Sequence, residues 1–148
     1  MPRPAQPLRL LAQDAEDLKV ISAALQDAVG KVGDIRFDPA DHTLTMALNR
    51  FRWEAEGAHT HERVRAALQI GSVLSVQARR LKREPKDAVV ELLAIEFHPG
   101  DPPGGEVRLT FAGDGEIRAE VECLDAAFAD LSAPWPARHA PKHDIAEG

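Results

Sequence analysis

The chain has 148 residues, of which 44% are hydrophobic and 28% charged, with a formal net charge of −6. These proportions exclude the disordered and fibrous classes, and the length suits one domain whose core needs no metal or disulfide staple. The negative balance argues against indiscriminate nucleic-acid binding, the single Cys123 excludes an intramolecular disulfide, and no apolar run reaches the length of a signal peptide or membrane span, so a cytoplasmic protein is expected.

Leu8–Leu11 is a short apolar run, read as a first strand. Asp14 follows as an N-cap, with Glu16 and Asp17 in the first turn of a helix. Leu18, Ile21, Leu25 and Ala28 recur at spacings of three and four, and Gly30 stands where a left-handed C-cap residue belongs. Beyond Gly33 the period falls to two: Ile35 and Phe37 alternate with polar residues, Asp38-Pro39-Ala40-Asp41 has turn chemistry, and Leu44, Met46 and Leu48 alternate again, which predicts a hairpin. Phe51 and Trp53 fall on the opposite parity, which calls for a bulge or a change in which face is covered.

The polar stretch 54–61 is read as a loop. Val64, Ala66, Leu68 and Ile70 alternate up to Gly71-Ser72, and Val76 and Ala78 resume beyond it; this predicts two strands, with a helix over 62–69 as the competing reading. Residues 82–87 form a charged turn containing Pro85, and Val89–Phe97 is apolar enough for a central strand. The Pro- and Gly-rich stretch 98–105 is a loop, and Val107–Phe111 and Ile117–Val121 flank a Gly113-Asp114-Gly115 turn as a second hairpin. Leu124, Ala127, Phe128 and Leu131 return to helical spacing and predict a C-terminal helix.

Residues 1–136 are therefore expected to form a single α+β domain, followed by a flexible tail over 137–148 that Trp135 pins at most at its start. The predicted architecture is a mainly antiparallel sheet or curled barrel of seven to eight strands with a helix near each end. By analogy of topology alone, it is similar to a pleckstrin-homology-like barrel.

Several ordered segments carry a resemblance: Leu8–Leu18, the Asn49–Glu54 block around Phe51 and Trp53, Glu62–Leu68, Leu92–Phe97 and Leu109–Gly113. Over roughly residues 8 to 136 the chain resembles a family of small bacterial proteins designated domain of unknown function 2948. The resemblance implies a self-contained bacterial protein and brings no activity, substrate or catalytic residue with it.

The charge is unevenly spread. Arg50–Lys86 holds nine basic and four acidic residues, a net +5, while the rest of the chain carries −11. Arg50 with Arg52, and Arg63 with Arg65, stand two apart, so on strands each pair projects from one face. Together with Trp53, Arg79 and Arg80 they are the candidate ligand-binding residues, since guanidinium groups grip phosphate or carboxylate bidentately and aromatics stack on bases. The bland alternative is a solvated sheet face.

His59 and His61, with Glu56 and Glu62 nearby, are a weaker candidate metal site that lacks further ligands at diagnostic spacing. Cys123 and His98 read as structural, no serine sits in a nucleophile elbow, and no cofactor is expected. The expected function is a non-catalytic binding or adaptor domain for an anionic ligand or acidic protein, without membrane attachment. The alternatives are a small metal-dependent enzyme using His59 and His61, and a structural homo-oligomer or homodimer that pairs through a sheet face bearing Phe51 and Trp53.

Overall fold

The computed structural model describes residues 7–55, 61–82 and 84–137. It contains ten strands, one α-helix and one short 3₁₀ turn: β1 (Arg9–Ala12), α1 (Ala15–Ala24), β2 (Ala28–Asp38), β3 (Thr43–Phe51), the 3₁₀ turn Trp53–Ala55, β4 (Glu62–Ile70), β5 (Val73–Arg79), β6 (Val89–Pro99), β7 (Gly105–Phe111), β8 (Glu116–Val121), β9 (Ala126–Asp130) and β10 (Trp135–Pro136). All pairings are antiparallel, and the strands run in the order β1-β9-β4-β3-β2-β6-β7-β8-β5, with β10 paired to the start of β4. The sheet is open, with β1 and β5 at its two ends. Only Gly71 and Ser72 separate β4 from β5, although β5 lies at the far end of the order. The sheet must therefore curl around its own core.

Alternation sets the inner face. Leu44, Met46 and Leu48 of β3, Val64, Ala66, Leu68 and Ile70 of β4, and Val107, Leu109 and Phe111 of β7 are all buried, each strand turning every second residue inward. Helix α1 starts where the sequence places it: the Asp14 carboxylate accepts the amide of Asp17 at 2.8 Å, a cap of about 1 kcal/mol. Leu18, Ile21 and Leu25 then enter the core against β1 and β6. Past Leu92 strand β6 has lost β2 as a neighbour, and the Ser22 hydroxyl accepts the amide of Ile95 at 3.0 Å instead.

Three sequence expectations are corrected. The fold is dominated by sheet and is not α+β with a helix near each end, because residues 126–130 form strand β9 where the second helix was expected. The spacing of Leu124, Ala127, Phe128 and Leu131 fits a helix, but Ala126, Phe128 and Asp130 also alternate and are the buried set. Tertiary context decides between them: β9 pairs with β1 on one side and β4 on the other, supplying ladder hydrogen bonds that a helix would leave unmade. The analogy to a barrel capped by a C-terminal helix falls with it. Among the described residues the strands number ten, above the seven to eight expected.

The third correction concerns the end of α1, which stops at Ala24, before Ala28 and Gly30. Asp27 takes the left-handed conformation (φ 62°) and turns the chain directly into β2. Gly30 instead lies inside β2, where an added Cβ would meet Leu48 Cδ2 at 2.7 Å and the Ala47 carbonyl at 2.9 Å. The alternating reading of 62–70 holds, since this segment is strand β4. Trp135 does anchor the chain through β10, and the tail from 138 onward lies outside the described residues.

A basic-rimmed cleft between two strand edges

Strand β2 changes partners along its length. Ala28–Lys31 pair with β6, a register break follows between Gly30 and Ile35, and Ile35–Asp38 pair with β3 alone. The distal half of β2 thus swings away from β6, and an open cleft of about 460 Å³ remains between it and β5. Ile35, Phe37, Leu44, Val76 and Ile117 supply an apolar lining, while Arg36, Lys82 and Lys86 bring three cations to it against the single carboxylate of Glu84.

Both ends of the cleft are pinned. At one, the Val73 amide donates to the His42 carbonyl at 2.9 Å, and His42 Nδ1 lies 3.1 Å from the Val73 carbonyl. At the other, residues 84–88 cross as a strap, the Lys86 and Ala88 carbonyls accepting the amides of Gly33 (2.8 Å) and Val32 (2.9 Å). Gly33 is required there, because a Cβ would sit 2.9 Å from the Lys86 carbonyl oxygen.

The arginines of the sequence candidate site are dispersed. Register pairs Arg50 with Val64, and Phe51 with Arg63, so Arg50 points inward while Arg63 and Arg65 project from the opposite face of the sheet. Arg50 is fully buried. Nε and Nη2 donate to the two carboxylate oxygens of Asp130, each at 2.8 Å; Nη1 and Nη2 donate to Glu54 at 2.9 and 2.7 Å; and Nη1 also reaches the Phe51 carbonyl at 3.3 Å. All five donors of a guanidinium are thereby used, and the group lies 5.4 Å from the centre of the Phe128 ring.

Burial by itself would depress the Arg50 pKa, but the hydrogen bonds and charges of Asp130 and Glu54 outweigh it and raise the value above the ordinary one. Burial pushes Glu54 up, but its hydrogen bonds to Arg50 and to backbone, together with the charges of Arg50 and Arg52, more than reverse that and hold it below its usual range. Arg50 is therefore a structural clamp joining β3, β9 and the 3₁₀ turn, with no donor left for a ligand.

Arg52 is mostly buried and paired with Glu62. Arg65 spans Asn49 Oδ1 (3.2 Å) and Asp34 Oδ2 (3.0 Å). Burial lowers the pKa of Arg63, offset in part by Glu91 and Asp27, and Nη1 donates to the Asn49 carbonyl at 3.3 Å. Trp53 Nε1 donates to the Gln26 carbonyl at 3.2 Å, and the ring meets Phe51 edge-on at 4.7 Å. Phe51, proposed from sequence as part of an oligomer face, is itself buried beneath Trp53 and His61.

Arg79 and Arg80 alone among the seven candidates are exposed, at the end of β5, with Asp114 3.8 Å from Arg80. His59 lies outside the described residues, whereas His61 packs 5.7 Å from Phe51. No group of three or more His, Cys, Asp or Glu able to hold a metal occurs among the described residues. Arg36 was passed over in sequence because it lies outside the basic block, in an ordinary alternating strand.

With the geometry defined, the chain can be compared with known proteins. The profile of the protein family of unknown function DUF2948 matches residues 8–143. The chain belongs to that family. The match covers every strand of the sheet and all of the cleft, so the cleft belongs to the DUF2948 domain itself. No curated protein and no solved structure matches the chain. Among the described residues, no helix is long and apolar enough to cross a membrane.

Proposed function

We propose that this DUF2948 protein is a non-catalytic binding module that takes an anionic ligand with an apolar portion in the cleft between β2 and β5. One observation carries the reading: an apolar lining of Ile35, Phe37, Val76 and Ile117 adjoins three cationic side chains and a single acidic one. Concave sites that combine apolar walls with a few oriented polar groups are the usual form of a ligand pocket, and 460 Å³ falls in their ordinary size range. The anionic preference expected from the basic segment is retained, but its seat moves. Lys82 and Lys86 belong to that segment, and Arg36 joins them from β2.

Dodecanoate is a suitable probe, titrated by calorimetry at two salt concentrations. The native protein should bind it more tightly than dodecanol and lose affinity as salt rises. A combined Arg36→Gln, Lys82→Gln, Lys86→Gln variant should bind at least about tenfold more weakly, since each charge-assisted contact contributes roughly 1.5–3 kcal/mol. Equal affinity for the acid and the alcohol, or for the native and triply substituted proteins, would overturn the reading.

A further inference from the structure

The walls of the cleft are strand edges, and edges recognise backbone. β5 is the last strand of the sheet. Among the described residues, the backbone of Leu74–Arg79 pairs only with β8, and no other backbone partner reaches it. Across the cleft, Ile35–Asp38 of β2 likewise have β3 as their only neighbour. A strand presents a donor and an acceptor to its open side at every second residue, and such a row is a template for another chain unless it is blunted or covered. β5 contains no proline, and Leu74, Ser75, Gln77, Ala78 and Arg79 are exposed.

Resting on the cleft being the binding site, we propose that its occupant is a short extended peptide from an acidic partner protein, added as a strand along the open edge of β5. Strand addition of this kind draws affinity from main-chain hydrogen bonds and selectivity from pockets that receive alternate side chains. Both are present. The edge supplies unpaired backbone groups at a strand repeat, which an acyl chain could not satisfy. The apolar lining beside it takes every second side chain of the incoming strand, and Arg36, Lys82 and Lys86 face its carboxylates.

Length is also limited. The His42–Val73 contact closes one end and the strap of residues 84–88 the other, leaving the six residues Leu74–Arg79, or about 20 Å of strand, to pair. The preferred peptide therefore alternates apolar and acidic residues over about six positions.

Selection of the full-length protein against a displayed library of random ten-residue peptides tests this. An enriched peptide is then synthesised unmodified and with alternate backbone amides N-methylated in each register, and dodecanoate is titrated alongside. Expected are an alternating apolar–acidic consensus and slowed amide exchange within Leu74–Arg79 on binding. N-methylation in one register should weaken binding at least about tenfold while the other register is tolerated.

If dodecanoate binds but no peptide is enriched, or the enriched peptide tolerates N-methylation in both registers, strand addition is wrong and the cleft reading stands. If the peptide binds with β5 protected but ignores the Arg36, Lys82 and Lys86 substitutions, the acidic partner is wrong. If neither probe binds, both proposals fail.

Discussion

Replacing Arg50 with methionine removes the guanidinium while retaining an unbranched apolar stem, and the structure sets what should follow. The Arg50 side chain is completely buried and that of Asp130 is 3% exposed. Without Arg50, the Asp130 carboxylate keeps, among the described residues, one hydrogen-bond partner, the Leu8 amide at 2.8 Å, so a buried charge loses the counter-ion paired with it. Breaking a buried pair in this way costs about 3–5 kcal/mol, a large fraction of a typical domain stability of roughly 5–15 kcal/mol. Glu54 is 38% exposed on its side chain and can turn to water, so it adds little to the loss.

Urea unfolding followed by fluorescence should show the midpoint of Arg50→Met falling by about 2 M with the slope unchanged. The double variant Arg50→Met, Asp130→Leu removes both charges and should recover most of that loss, because an apolar pair of similar volume is often neutral to stability. A loss below about 1 kcal/mol for the single variant, or a double variant as unstable as the sum of the singles, would refute the clamp.

The same network and the strap yield two more predictions. Glu54 has its folded-state pKa held below the ordinary 4.5, so the stability it contributes is complete above that value and is lost as pH falls through the folded-state pKa. The stability difference between the native protein and Glu54→Gln should therefore be largest near about pH 6 and shrink on acidification, and a difference unchanged down to about pH 2 would contradict the assignment. Gly33→Ala should drive a methyl group against the Lys86 carbonyl oxygen, 2.9 Å from the new Cβ. It should cost about 1–3 kcal/mol and speed amide exchange at Val32 and Gly33; native-like exchange at both amides would show that the strap is not held there.

The alternating period was legible wherever one face is covered: β3, β4, β7 and β8 lie where Leu44–Leu48, Val64–Ile70, Val107–Phe111 and Ile117–Val121 alternate, and Asp14 marks the start of α1. Local chemistry sufficed there, because side-chain direction in a strand repeats every two residues whatever the partner. Arg50 shows where that reading stopped short. It continues the parity of Leu44, Met46 and Leu48, so its inward direction was implied, but a charge on a core face has meaning only once its partner is known, and Asp130 is 80 residues away in the chain.

The remaining decisions belong to tertiary structure alone. Residues 126–130 satisfy both periods, and the open edges of β1 and β4 chose strand. Arg50 and Arg63 looked alike in sequence, and the register of β3 on β4 put them on opposite faces. The cleft exists because β2 leaves β6 at its register break while β5 ends the sheet, so that two edges face each other. Strand order depends on the balance of long-range contacts over the whole chain, and no local pattern of residues records it.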